Sequence, residues 1–207
     1  MEGRFQRIDI PRSKSASSPP SSEAFVDTSR DNCRSAHRVA NKVGRVAWTV
    51  CWWVLFRPSP RVFYRWRVTL LRLFGARVHR TSRIDPSARV WAPWNLSVGA
   101  DTSVGHHVDL YNVAPIFLGN RVTVSQESLL CTASHEISDP AMGLTRQAIR
   151  LDDESWACAR AYLGPGVRLG QGAVAGACAV VTKSVDPWKV VVGNPAAVLK
   201  ERKLCHV

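Results

Sequence analysis

The chain has 207 residues, 45% of them hydrophobic, which is enough for one domain with a core and a smaller appendage. Its formal charge of +12 is uneven: residues 1–83 hold 17 Lys/Arg against 5 Asp/Glu, and residues 84–207 hold 11 against 11. No apolar run nears the ~20 residues of a membrane-spanning helix, no nucleic-acid motif accompanies the basic third, and the six scattered cysteines without a C-x-x-C pair speak against a zinc site or a disulfide framework.

Residues 1–35 are rich in Ser, Pro and Arg (PRSKSASSPPSSEA) and are expected to be disordered. The opening MEGRFQRID lacks the charged-then-apolar pattern of a secretory signal, and the cysteine spacing makes free thiols in a reducing cytoplasm the expected setting. Residues 36–56 read as a helix, apolar on nearly all sides after Arg45, and Arg57-Pro58-Ser59-Pro60 breaks it. A second helix is predicted over 61–74, with Phe63, Trp66, Leu70 and Phe74 as one stripe and Gly75 as its stop. The tryptophans at 48, 52, 53 and 66 allow two readings of the 36–77 segment: a cap on whatever follows, or an anchor on the inner surface of a membrane beside arginines.

From Val78 a six-residue repeat replaces helical periodicity. Leu151, Ala157, Leu163, Leu169, Ala175 and Val181 are apolar and evenly spaced, and four residues after each comes a small or β-branched residue, Ser155, Ala161, Val167, Ala173, Ala179 and Val185. Earlier tracts obey the same rule: Val78, Ile84, Val90 and Leu96; then, after a slip of two, Val98, Val104 and Leu110; then, after another, Leu118, Val124 and Leu130. Three hexapeptides make one triangular turn, each side a short strand whose inward aliphatic residue stacks on its equivalent ~4.8 Å away. The fold class is therefore all-β, a parallel β-helix of about five coils over 78–207, preceded by the two helices and the tail. Gly99, Gly105, Gly119, Gly164 and Gly170 directly follow inward positions and are read as serving tight corners. Residues 136–150 break the repeat and are predicted to form a protruding loop.

The stretches LFRPSPR (55–61), LLRLFGA (70–76), PSARVWAPWNLSVG (86–99), LCTASHE (130–136) and GPGVRLGQGAVAGACAVVTKSVDPWKVVVGNPA (164–196) resemble the hexapeptide-repeat acyltransferases, most nearly the colanic acid biosynthesis acetyltransferases, relatives of the maltose and galactoside acetyltransferases. The resemblance implies left-handed winding and a homotrimer with active sites between neighbouring β-helices. It implies acetyl-CoA as donor and a saccharide hydroxyl as acceptor, in exopolysaccharide or other surface-glycan assembly. It maps the catalytic base to His135, and donor contacts to Ala159, Ala177, Thr182, Lys183 and the basic tail around Lys200. Tyr111 and Asn112 are candidate sugar contacts.

Transfer of an acetyl group to a hydroxyl requires a base for the departing proton and a donor for the developing oxyanion. Histidine as a residue type suits the first, and a backbone N–H, which the resemblance puts near Ala159, suits the second. Glu136 is read either as orienting the His135 ring or as a solvated loop carboxylate. Lys183, Lys200, Arg202 and Lys203 are read as phosphate contacts against a merely basic terminus, and Gly193-Asn194-Pro195 as a closing turn. His106 and His107 invite a metal reading, because γ-class carbonic anhydrases bind metal through three histidines on such a β-helix. No second histidine follows His135 at close spacing, so no metal is expected, and a surface role or the lining of the acceptor cleft is assigned to the pair. Nucleic acid is the weakest partner for the basic arm, and none is expected. An acyltransferase with a non-sugar acceptor and a non-catalytic scaffold are the competing readings.

Overall fold

A computed structural model describes residues 39–204. The expected disorder of residues 1–35 lies outside the described residues. From Val78 the chain winds as a parallel β-solenoid with three faces. Val78, Val98, Leu118, Leu151 and Leu169 stack along the first face; Ile84, Val104, Val124, Ala157, Ala175 and Val191 along the second; Val90, Leu110, Leu130, Leu163 and Val181 along the third. Five coils are complete and a sixth begins, through the bridge Leu169–Val185 and the strand Lys189–Val192. The inward residues are at most 5% exposed, so one continuous aliphatic column forms the core.

The second register lines the corners from inside. Ala88, Val108, Val122, Ala161, Ala173 and Ala179 are fully buried there. Where the position is polar, its hydroxyl donates to a backbone carbonyl: Ser82 to Gly99 at 2.5 Å, Thr102 to Gly119 at 2.6 Å and Ser128 to Cys158 at 2.8 Å. Burial without a partner would cost roughly 1–3 kcal/mol at each.

The corner glycines serve a purpose different from the one expected. The left-handed residue of each corner is the third after the inward position, and non-glycine residues fill most of these sites, such as Asp101, His107, Arg121, Glu127, Glu154 and Arg160 with φ between 52° and 63°. Gly99, Gly105, Gly119 and Gly170 stand two residues earlier, outside that region, and are required by close approach of the next coil. A Cβ on Gly99 would lie 2.6 Å from the Gly119 carbonyl, and one on Gly170 would lie 2.5 Å from Pro187 N. Gly164 has more room, its nearest contact being 3.5 Å. Gly99→Ala is expected to destabilise by about 1–3 kcal/mol through backbone displacement, and Gly164→Ala by well under 1 kcal/mol. Paired thermal melts of the two variants check this.

The helices cover the open edge of the first coil, whose carbonyls would otherwise be left unpaired. The first helix, α1 (Val39–Cys51), continues as a π-helical segment Trp52–Phe56. Trp48, Trp52 and Phe56 recur every four residues and are buried; that spacing drifts around an α-helix, and the wider turn holds the last two on one side. Trp48 Nε1 donates to Val90 O at 2.7 Å and Trp52 Nε1 to Ala88 O at 2.9 Å. The second helix, α2 (Tyr64–Leu73), adds Arg67, donating to Ile84 O at 2.7 Å, and Arg72, donating to Val78 O at 2.7 Å. Its predicted stripe is split: Leu70 is buried, whereas Phe63 and Trp66 face outward because Arg67, Val68 and Leu71 take the inner side. Beside Arg67, the Asp85 carboxyl meets Arg61 at 3.0 Å. Burial works to raise it, but hydrogen bonds from Ser87, His106 and Arg61 outweigh this and hold it below the ordinary carboxylate range. At the other end, Ala197–Glu201 folds back antiparallel on Lys189–Val192, and the 193–196 turn brackets Val180, giving it Gly193 O and taking its carbonyl through Ala196 N.

Candidate active site

One corner of the triangle, between the third and first faces, takes every insertion. Equivalent residues are 20 apart in the early coils (78, 98, 118), then 33 apart (118, 151), then 18 apart (151, 169). The 15-residue excess in the third coil forms an antiparallel hairpin, Ala133–His135 against Leu144–Arg146. His135 thus lies within a strand that begins before the predicted loop boundary, opposite Leu144. Its Nδ1 is 2.7 Å from Met142 O. A carbonyl only accepts, so Nδ1 carries a proton, and in the neutral ring it is Nε2 that holds the free lone pair, on a side chain that is exposed. Met142 holds φ at 49°, a left-handed conformation costing an ordinary residue roughly 1–2 kcal/mol. Glu136 does not orient the ring: its carboxylate accepts Ser138 N–H at 3.1 Å and caps its own turn. The orienting role belongs to a backbone carbonyl, which no residue type advertises.

The other predicted residues fall on two edges of the prism. Thr182 and Lys183 follow Val181 on the edge from which the His135 hairpin departs, and both are exposed. Ala159 and Ala177 share the edge between the second and third faces, stacked through Cys178 N–H to Ala159 O at 3.0 Å. Their own N–H groups have no acceptor among the described residues. Lys200 projects from the closing hairpin and is exposed, as is Lys203. Arg202 is different: its guanidinium donates to Glu154 O at 2.8 Å and Gly172 O at 3.0 Å, which commits it to the fold rather than to a phosphate.

Of the two candidate sugar contacts, Tyr111 is half-buried one coil below the hairpin root, where Thr132 donates to its carbonyl. Its ring lies 5.0 Å from that of Trp91, a neighbour legible only from the stacking, since both residues directly follow inward positions of the third face. Arg45 sits over the Trp91 ring at 4.9 Å. Asn112 is corrected: it is fully buried, accepting Ala92 N–H at 2.9 Å and donating to Ala92 O at 2.7 Å. It braces the enlarged corner of the coil below, as Thr132 braces the next by accepting Ala114 N–H at 2.9 Å. No amide is left for a sugar. His106 and His107 lie on the Ala159 edge two coils lower, His106 Nδ1 being 2.7 Å from Ser87 Oγ. Among the described residues, no group of three or more His, Cys, Asp and Glu side chains is arranged to hold a metal ion.

No protein-family model matches the chain. The WcaF protein of Escherichia coli K12, named for colanic acid biosynthesis acetyltransferase, is 39% identical over 155 residues, 73% of this chain and 85% of that protein. Among solved structures, a maltose O-acetyltransferase from Clostridium difficile 630 superposes with a TM-score of 0.73 at 24% identity, covering 82% of this chain and 91% of its own. A hexapeptide-repeat acetyltransferase from Vibrio cholerae, solved with acetyl coenzyme A, gives 0.70 at 23% identity over 81% and 92%. These two likenesses establish a common fold.

Proposed function

Since this chain belongs to the hexapeptide-repeat acetyltransferases, as its identity to the colanic acid acetyltransferase WcaF over most of both chains requires, we propose that it moves the acetyl group of acetyl-CoA onto a saccharide hydroxyl during surface-glycan assembly. The observation that carries this reading is the His135–Met142 contact, which fixes an exposed imidazole by Nδ1 and leaves Nε2 of the neutral ring free to accept a proton. As the acceptor oxygen attacks the thioester carbonyl, Nε2 takes its proton. The C–S bond then breaks, the acetyl group stays on the oxygen as an ester, and the imidazolium returns the proton to the departing CoA sulfur. The uncommitted N–H of Ala159 is the candidate donor to the oxyanion. Thr182, Lys183 and Lys200 are the candidate contacts to the donor, the lysines toward its phosphates.

The distribution over two edges supports a homotrimer. His135 leaves from one edge and Ala159 and Ala177 stand on another, so a cleft between neighbouring chains would bring a base from one against donor contacts of the next. A screen of saccharide acceptors for CoA release, with mass detection of the acetylated product, tests the function. Release with a non-sugar hydroxyl alone would redirect the acceptor, and absence of release with every acceptor would favour a scaffold. Lys183→Ala is expected to raise KM for acetyl-CoA several-fold with kcat little changed, because a phosphate contact is made equally in ground and transition states. Initial rates over a range of acetyl-CoA concentrations check it, and an unchanged KM removes Lys183 from the donor site.

A further inference from the structure

The N-terminal helices are apolar on two opposite sides, and the solenoid uses one. Trp48, Trp52 and Phe56 are buried against the first coil. Val43, Val46, Val50, Trp53 and Val54 recur at helical spacing about half a turn away and are 58–65% exposed. On the neighbouring helix Trp66 and Leu73 are 42% and 75% exposed, with Phe63 at 55% just before it. Trp66 Nε1 donates to Leu55 O at 3.1 Å, which holds the two exposed stripes side by side. Between them Val54, Leu55, Pro58, Pro60, Phe63 and Trp66 line an open groove of about 500 Å³. A patch of this extent and contiguity is unusual on a water-facing surface.

Its charge identifies the partner. Residues 39–84 contain ten Lys/Arg and no Asp/Glu. The Arg57 guanidinium stands over the rings of Trp52 and Trp53, at 5.3 and 5.7 Å, and Arg65 is exposed next to Trp66, while Arg61, exposed as well, is paired with Asp85. Tryptophan and arginine together beside exposed valines match the boundary between lipid headgroups and acyl chains. A second copy of the same face would set arginines against arginines, the acid beside it, Asp85, being nearly buried and already held by Arg61 at 3.0 Å. No described helix is long and apolar enough to cross a membrane. We propose that this helical hairpin lies on an anionic lipid surface, its valine and tryptophan stripe in the headgroup boundary and its arginines at the phosphates. This goes beyond the catalytic reading and does not depend on it, since seating on lipid requires neither acceptor nor acetyl transfer.

Flotation of the full-length protein with vesicles tests the proposal. The protein is expected to float with phosphatidylcholine vesicles containing about one third phosphatidylglycerol, and at least tenfold less with phosphatidylcholine alone. Raised salt is expected to weaken the anionic binding. A Trp53→Ser, Phe63→Ser double variant, altered only at exposed side chains, is expected to bind at least tenfold more weakly, and Arg65→Glu roughly tenfold more weakly. Circular dichroism and thermal melts verify that the variants fold. Three results would overturn the proposal: wild-type protein that stays unbound on anionic vesicles, binding indifferent to the double variant, or a change in the sedimentation coefficient of the vesicle-free double variant, which would assign the patch to contact between copies of this chain.

Discussion

Replacing His135 by alanine is expected to lower kcat by about 10²–10⁴-fold, the usual worth of a positioned general base. Acetyl-CoA affinity is expected to change little, because the candidate donor contacts lie at Ala159, Ala177, Thr182, Lys183 and Lys200, not on the hairpin. His135→Asn sharpens the test. Its amide can still donate to Met142 O, where Nδ1 now stands at 2.7 Å, and so can keep the hairpin closed. It cannot take a proton, so its kcat is expected to fall as far as that of the alanine variant. In both, the rise of rate with pH that a histidine base confers is expected to vanish. Single-turnover rates with a saccharide acceptor, across pH and alongside acetyl-CoA binding, give the answer. Near wild-type turnover in His135→Ala would end the mechanism while leaving the fold untouched.

The second large effect concerns stability. Arg67→Leu is expected to destabilise the protein by about 3–6 kcal/mol, from one buried acceptor left without a donor (~1–3 kcal/mol) and three part-buried hydrogen bonds lost (~0.5–1.5 kcal/mol each). Arg67 is 2% exposed, and its guanidinium reaches Ile84 O, Pro60 O, Arg61 O and Ser59 Oγ, all within 3.0 Å. Among the described residues no carboxylate pairs with it directly; it is held by neutral oxygens from two segments at once, residues 59–61 and Ile84. A lysine cannot span four such acceptors, so Arg67→Lys is expected to recover only part of the loss. Thermal melts are expected to show a drop of roughly 10 °C or more for the leucine variant. A melt within 2 °C of wild type would mean that water or a neighbouring side chain satisfies these oxygens in its place.

The hexapeptide arithmetic is legible because one rule, an inward aliphatic residue every six, is enforced by stacking at every face; Leu151 to Val181 read as strands and fold as strands. The glycines were readable as corner residues, but not why. Their constraint lies in the approach of Gly119 to Gly99, a contact between residues 20 positions apart that local preference cannot express. Asn112 misled for a related reason: a polar side chain beside Tyr111 looks available until the enlarged corner is seen to need a donor and an acceptor for Ala92. His135 was legible through a motif and a break in the repeat. Its partner was not, since Met142 contributes a main-chain oxygen, positioned by a hairpin whose pairing no periodicity announces. The outward Trp66 escaped the amphipathic reading because an arginine claimed the inner side of that helix.

The uneven corner has an evolutionary consequence. Where the third coil leaves for the hairpin and returns, the first face continues without a step: Ile116 to Leu118 pair with Ile149 to Leu151 just as Leu96 to Val98 pair with Ile116 to Leu118. The stack therefore does not register how many residues the excursion contains. Descendants of this chain can lengthen, shorten or rewrite the segment around His135 while the column of Leu, Val and Ala beneath is inherited intact. On the proposed role of His135, selection on catalysis and selection on folding then act on separable stretches of one gene. The 133–146 segment is where differences in length and sequence among related chains of equal coil number are expected to concentrate.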